Sequence, residues 1–251
     1  LNVPSVFLYG GSILPGRHKG RDLTVQDVFE AVGAHAAGRM DFEELCEIER
    51  HACPSDGACG GQFTANTMAC VAEAIGLSLP MSSALPAPYL DRDAYGVASG
   101  HAVVSLIERQ LRPRDICTRA AFINAAIVVA ATGGSTNGAL HLPAMAHEAG
   151  IEFTMKDVAD AFMLTPWIAD LKPGGAYVAK DMGEAGGMPM LLRSLLDGGL
   201  LDGNCLTVTG KTLGENVEEV TWNPDQKVIH TVKAPITENG GVVGLWGSMA
   251  P

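Results

Sequence analysis

Apolar residues recur at helical spacing along most of this chain. Val25, Val28, Phe29 and Val32 share one face, the three-to-four-residue repeat of an amphipathic helix. Thr24 stands before them with Asp27 three residues on, a reciprocal cap. The same logic predicts a helix from Asp41 through Leu45 and Ile48, with Glu44 at the capping position. Another is expected over 64–77, apolar at Met68, Val71, Ala72 and Ile75 and closed near Gly76. Residues 91–111 form a long helical pattern that Pro113 stops. Residues 118–131 are dominated by Ala, Ile and Val, which predicts a helix buried on most of its sides. Further helices are expected up to Ala149, where Gly150 terminates the pattern, over 154–163, and over 188–196 before Gly198 and Gly199.

Between these lie shorter β-rich stretches. The opening run Val3 to Tyr9 reads as a buried strand, and residues 227–232 and 242–246 have β character. Helices alternating with such segments predict an α/β class, with helices packed around a mainly parallel sheet. No internal repeat, low-complexity run or long linker divides the chain. The ends look cut: Leu1 starts without Met at the edge of a strand, and Gly247 to Pro251 stops with no capped helix or polar tail.

Composition narrows the function classes. An apolar fraction of 47% with 18% charged residues excludes a disordered or repetitive chain. Twenty-eight acidic against 17 basic residues give a net charge of −11, which argues against a binder of nucleic-acid backbone. The one dense basic cluster, Arg17 to Arg21, reads as solvated surface. No signal peptide is visible, and no apolar run approaches the roughly 20 residues of a membrane helix, so a cytoplasmic protein is expected. Thirty glycines without a repeat period suggest tight turns and functional loops. Of the six cysteines, Cys46, Cys70 and Cys117 fit buried apolar positions, whereas Cys53 and Cys59 flank a loop of Pro, Ser, Asp and Gly.

Two segments could carry chemistry. In Cys59-Gly60-Gly61-Gln62-Phe63-Thr64, a cysteine sits in a glycine-flanked turn just before a helix. Orphan N–H groups at a helix start favour a thiolate, and the glycines let a bulky group such as an iron–sulfur cluster approach the backbone. A structural cysteine and a nucleophile paired with a histidine such as His51 are the competing readings. In Gly133-Gly134-Ser135-Thr136-Asn137, small residues at a helix start make either an anion-binding nest or a plain helix cap. His141 reads as a core or supporting histidine, and Lys172, in a turn from Asp170 to Gly175, as surface. Val208 to Thr212 is not a phosphate-binding P-loop, because the required glycine is replaced by Cys205. No nicotinamide-binding glycine fingerprint is present.

Taken in order, these motifs resemble the dihydroxy-acid and phosphogluconate dehydratase family. The pieces that carry the likeness are Leu1 to Ser5, Cys53-Pro54 through Gly61, Thr64-Ala65-Asn66-Thr67-Met68, Gly133 to Asn137, Asp170 to Gly175, Gly199 to Gly203 and Thr207 to Leu213. The resemblance implies the central part of the family's N-terminal α/β domain over 1–225, with 226–251 beginning the connection to a C-terminal domain. It implies a hydro-lyase that converts a 2,3-dihydroxy carboxylate, such as 2,3-dihydroxyisovalerate of branched-chain amino acid biosynthesis, to a 2-keto acid. Sugar-acid dehydration is the alternative within the family; a non-catalytic module lacking the full metal site is the alternative outside it. The implied cofactors are an iron–sulfur cluster, 2Fe–2S before 4Fe–4S, and Mg²⁺. Cys59 matches the family's cluster cysteine and Cys53 a neighbouring cysteine. Ser135, Thr136 and Asn137 are implied to line the substrate pocket. The family's other cluster cysteines, its Mg²⁺ ligands and its serine base match nothing here, so no catalytic base is expected within this chain. A small dihydroxy acid and a second copy in a homodimer are the implied partners; nucleic acid and membrane are not.

Overall fold

The computed structural model describes residues 2–249. Leu1, Ala250 and Pro251, on which the cut ends partly rest, lie outside the described residues. A hairpin of β1 (Gly16–His18) and β2 (Arg21–Leu23) leads into α1 (Val25–Ala36) and α2 (Phe42–Ala52). There follow α3 (Thr64–Ile75), α4 (Asp91–Glu108), α5 (Pro113–Ile116), α6 (Arg119–Ala131), α7 (Asn137–Ala149) and α8 (Met155–Leu164). The shorter α9 (Ala179–Glu184), α10 (Gly187–Asp197) and α11 (Leu213–Val217) complete the order.

Local chemistry explains the helix starts. Thr24 accepts the Gln26 N–H while Asp27 takes the Thr24 N–H at 2.7 Å, so the predicted reciprocal cap forms. Thr154 with Asp157 and Thr212 with Glu215 repeat it on α8 and α11. Asp41 accepts the Glu44 N–H at 2.7 Å, but Glu44 does not reciprocate; its carboxylate turns to Lys19 at 2.6 Å instead. Pro113 does more than stop α4: it opens α5 from the first-turn position that tolerates a missing N–H. Gly76 ends α3 in the left-handed region at φ +98, which a side chain would resist.

The helices bury themselves around α6. Nearly every residue from Ala121 to Ala131 is buried, and α3, α7 and α8 pack around this helix. Small side chains let neighbours close in on all sides, and Phe122, fully buried, supplies the bulk against Phe153 with ring centroids 5.7 Å apart. Asn124 is the polar exception; its amide exchanges two 2.9 Å hydrogen bonds with the Asp202 backbone and is thereby satisfied. A second, smaller core of Leu23, Ala31, Ile48 and Ala52 joins the hairpin to α1 and α2.

The sheet differs from expectation. Among the described residues the only named strands are the two antiparallel ones of the hairpin, paired Gly16 to Leu23 and His18 to Arg21. No mainly parallel sheet is present there; parallel pairing is confined to single bridges such as Ser12 with Ala58 and Leu171 with Tyr177. The opening run is not a buried strand: Val3, Phe7 and Leu8 are exposed, and the Phe7 N–H bonds the Leu77 carbonyl at 2.8 Å. The β character near the end yields only isolated bridges, Ala169 with Ile229 and Trp167 with Thr237. Short runs of apolar and β-branched residues made these segments look like strands, but ladders need partners that local sequence cannot supply. No helix of the described residues is long and apolar enough to cross a membrane.

Candidate functional site

The two predicted segments meet at the start of α3. Gly133 to Thr136 leaves the end of α6 and, with Gln62, Phe63, Thr64, Trp167, Pro173 and Gly174, encloses a cavity of about 590 Å³. Cys59 borders an adjoining, almost wholly apolar hollow of about 530 Å³ against Val25, Gln26 and Phe29 of α1. Phe63 and Thr64 form a wall common to both.

Asn66, buried in the first turn of α3, fixes the cysteine turn. Its Nδ2 donates to the carbonyls of Cys59 at 2.7 Å and Gly61 at 2.6 Å, while its Oδ1 accepts from the Tyr9 hydroxyl at 2.7 Å. Both N–H donors and one acceptor site of its amide are thus committed, which sets both the side chain and the turn. Burial, followed by the nearby Cys59 and Cys70 thiols, raises the Tyr9 pKa well above the ordinary phenol range, so the hydroxyl keeps the proton it donates. Gln62 extends the network: its N–H reaches the Lys172 carbonyl at 2.7 Å, and its Nε2 reaches Thr132 Oγ1 at 3.2 Å. Thr67 Oγ1 donates to the Gln62 carbonyl at 3.2 Å and accepts the Ser135 N–H at 2.9 Å. One side chain therefore ties the cysteine turn to the Gly-Gly-Ser-Thr-Asn loop.

That loop both opens α7 and borders the cavity. Thr136 occupies the cap position without a side-chain cap bond, whereas Ser135 Oγ accepts the Asn137 N–H at 3.2 Å. Ser135 and Thr136 line the cavity, and Asn137, outside the lining, donates to Thr64 Oγ1 at 2.9 Å. Gly133 carries φ +58 and its Cα meets Gly241, where an added Cβ would stand 2.4 Å away. The chain near Gly241 thereby closes over the loop.

The cysteines separate as their surroundings dictate. Cys59 is half-buried with its Sγ 3.6 Å from the Gly61 carbonyl, and among the described residues no histidine hydrogen-bonds it. Cys53 is exposed at the end of α2 and lines neither hollow. Cys70 and Cys117 are buried, and burial pushes their thiols up to about 12 and about 11. His51 hydrogen-bonds the Glu47 carbonyl at 2.7 Å and faces His18. His141 is half-buried on α7.

Lys172 corrects the surface reading. Its side chain is only 17% exposed and its Nζ meets Asp27 Oδ2 at 3.0 Å. Burial opposes the charged carboxylate of Asp27, but the hydrogen bonds from Thr24 and Lys172 outweigh it and lower its pKa. The motif's turn composition pointed to solvent because the acid that neutralises the lysine lies 145 residues away. Trp167, Gln62 and Gly241 also escaped sequence reasoning; each acts through a contact far along the chain, with no local pattern to mark it.

Comparison with known proteins agrees with this arrangement of motifs. A family model for the dihydroxy-acid/6-phosphogluconate dehydratase N-terminal region matches residues 1–216. Dihydroxy-acid dehydratase of Parvibaculum lavamentivorans is 65% identical over 251 residues, all of this chain and 44% of the relative. The enzymes of the same name from Pelagibacter ubique and Acidothermus cellulolyticus are 62% and 51% identical, over 99% and 100% of this chain. The chain spans 44 to 45% of the length of these relatives. On the motifs, the family match and these identities, the chain belongs to the dihydroxy-acid/6-phosphogluconate dehydratase family.

Proposed function

We propose that this chain is the cluster-facing, substrate-facing part of a hydro-lyase that dehydrates a 2,3-dihydroxy carboxylate, such as 2,3-dihydroxyisovalerate, to a 2-keto acid in branched-chain amino acid biosynthesis. The observation that supports this most is the juxtaposition of Cys59 and the Ser135–Thr136 loop across one Phe63–Thr64 wall. The relatives' shared name points the same way. Residues 1–225 belong, on this reading, to the N-terminal α/β domain, and 226–251 begin the connection to a C-terminal domain.

Cys59 fits an iron–sulfur cluster. Its half-buried thiol adjoins the apolar hollow, and the backbone of its turn is held from behind by Asn66. Gly61 has no room for a side chain: a Cβ would stand 2.9 Å from the Phe63 ring and 3.1 Å from the Lys172 carbonyl. Cys59 is the thiolate this chain offers; the exposed Cys53 is the lesser candidate. A bound cluster, 2Fe–2S in preference to 4Fe–4S, supplies a Lewis acid beside a hydroxyl that must leave. Mg²⁺ does not fit the cavity wall, which carries no carboxylate among the described residues, and no step is assigned to it from these residues.

The residues present have binding work to do. Thr64, Ser135 and Thr136 offer neutral hydroxyls to a carboxylate and two hydroxyls, while Gln62, whose Nε2 already donates to Thr132 and Cys70, braces the wall. Asn137 orients Thr64, and Thr67 orients Ser135. The dehydration removes a proton from C2 and hydroxide from C3 as water, and the resulting enol tautomerises to the 2-keto acid. No Asp, Glu, His or Lys lines the cavity among the described residues, so the base for C2 comes from the remainder of the protein. The same reading makes the intact enzyme a cytoplasmic homodimer and the isolated 251-residue chain inactive.

The test is an anaerobic visible spectrum with iron and sulfide quantitation of the intact protein and its Cys59→Ser and Cys53→Ser variants. Loss of the chromophore in Cys59→Ser and its retention in Cys53→Ser are expected. An unchanged spectrum in Cys59→Ser refutes the assignment. Assays of the intact enzyme with 2,3-dihydroxyisovalerate and 6-phosphogluconate separate the two substrate classes, and turnover by the isolated chain overturns its predicted inactivity.

A further inference from the structure

We propose that His18, Glu47 and His51 form a binding site for a divalent transition metal of the zinc class, which clips the β1–β2 hairpin onto α2. The site owes nothing to the cysteine turn, so it stands or falls independently of the proposed activity.

Three observations carry it. Glu47 and His51 lie four residues apart on one face of α2, and His18 ends β1 directly against that face. The two elements touch through backbone: a Cβ on Gly16 would fall on the His51 carbonyl. One ligand atom from each of the three residues then lies within 4.8 Å of the others.

The imidazoles are prepared unequally. His18 Nε2 is buried with no hydrogen-bond partner, a state that folded proteins seldom leave uncompensated. His51 Nδ1 sits 2.7 Å from the Glu47 carbonyl, which only accepts, so Nδ1 carries the proton and Nε2 the lone pair. Metal-binding histidines are commonly oriented this way, with one ring N–H given to a backbone carbonyl. The rings are 5.9 Å apart and tilted by 35°, so they do not stack flat on one another. Arg50 engages one Glu47 oxygen, leaving Oε2, 3.7 Å from His51 Nδ1, facing the pair.

The donor set decides the metal class. Two imidazoles and one carboxylate suit Zn²⁺ and neighbouring divalent ions; Ca²⁺ and Mg²⁺ prefer oxygen alone, and an iron–sulfur cluster prefers thiolate. Tetrahedral Zn²⁺ with bonds of about 2.0–2.2 Å needs donors roughly 3.4 Å apart. Small rotations of the Glu47 and His51 side chains, 38% and 47% exposed, can supply that closure. Water takes the fourth position. The metal would reinforce a small core that otherwise rests on four buried apolar residues.

Isothermal titration of the metal-free full chain with Zn²⁺, paired with Co²⁺ absorption and melting curves, tests the site. One equivalent is expected to bind, Co²⁺ to show d–d bands without thiolate charge transfer, and Zn²⁺ to raise the melting temperature. His51→Ala, at an exposed helix end, and Glu47→Gln should each weaken binding by on the order of 100-fold or more, beyond the loss typical of a supporting residue. Both variants should abolish the thermal shift while melting as the metal-free wild type does. Unweakened binding in His51→Ala, a thiolate band with Co²⁺, or no tight equivalent in the wild type overturns the proposal.

Discussion

Glu73 lies buried in α3, and its titration makes a measurable demand on the fold. Its carboxylate accepts the Met81 N–H at 2.8 Å, the Ser83 N–H at 3.3 Å and the Ser83 hydroxyl at 2.5 Å. Burial nonetheless dominates these bonds and pushes its pKa from 4.5 up to about 7. The folded chain therefore holds this proton more tightly than the unfolded one. The associated stability is fully present below pH 4.5 and is lost as pH rises through about 7. Two and a half pH units correspond to about 3 kcal/mol. Because the isoelectric point lies near 5.0, measurements are best begun at pH 5.5, where about 2 kcal/mol of that loss is still to come. The perturbation is Glu73→Gln, which preserves shape and removes ionisation. Urea unfolding followed by circular dichroism at half-unit steps to pH 8 gives both stability curves, and their difference cancels every other titrating group. The difference should shift in favour of Glu73→Gln by about 2 kcal/mol across this range. Parallel curves would refute the reasoning. The carboxylates of Asp157, held near 2 by Arg119 and Thr154, and of Asp27, also lowered, act at lower pH and with opposite sign.

Phe122→Ala should cost about 3–5 kcal/mol in the same unfolding assay, since the ring is fully buried and α6 is enclosed by other helices; a loss below about 1 kcal/mol would deny it a place in the core. Lys172→Met keeps the apolar stem but leaves the Asp27 carboxylate with only its Thr24 hydrogen bonds and no counter-charge, and a destabilisation of about 1–3 kcal/mol is expected at neutral pH. That deficit should shrink on acidification, because Asp27 loses its charge; a pH-independent deficit would assign it to packing instead. Under the proposed function, Gly241→Ala, which forces a Cβ against the Gly133 Cα and narrows the cavity, should raise the KM of the intact enzyme with unchanged iron content; an unchanged KM would remove this segment from the proposed substrate site.

What could be read from the sequence was what local physics encodes. Thr24 and Asp41 announced their helices because a capping side chain acts on N–H groups two or three residues away. The apolar run of α6 announced a buried helix for similar reasons. The run at Val3–Tyr9 misled because four contiguous apolar or aromatic residues, Val6 to Tyr9, resemble a buried strand, yet β pairing depends on a partner far along the chain. The site divides the same way. Cys59 and the Gly133–Asn137 loop carry recognisable motifs, whereas the Lys172–Asp27 pair and the contact between Gly133 and Gly241 exist only once distant segments are brought together.

The division into a large and a small core has a kinetic consequence. Amide protection follows the cost of local opening, and a unit with few buried apolar side chains opens before one with many. The hairpin, α1 and α2 rest on Leu23, Ala31, Ile48 and Ala52, while α3 and α6 share the extensive core. Deuterium should therefore enter α1 and α2 well ahead of α6, and equal protection would contradict this ordering. Val25, Gln26 and Phe29 of α1 are one side of the hollow beside Cys59. Their excursions would uncover that thiol while α3 keeps its hydrogen bonds, giving an incoming group a route to Cys59 through a fold that stays largely intact.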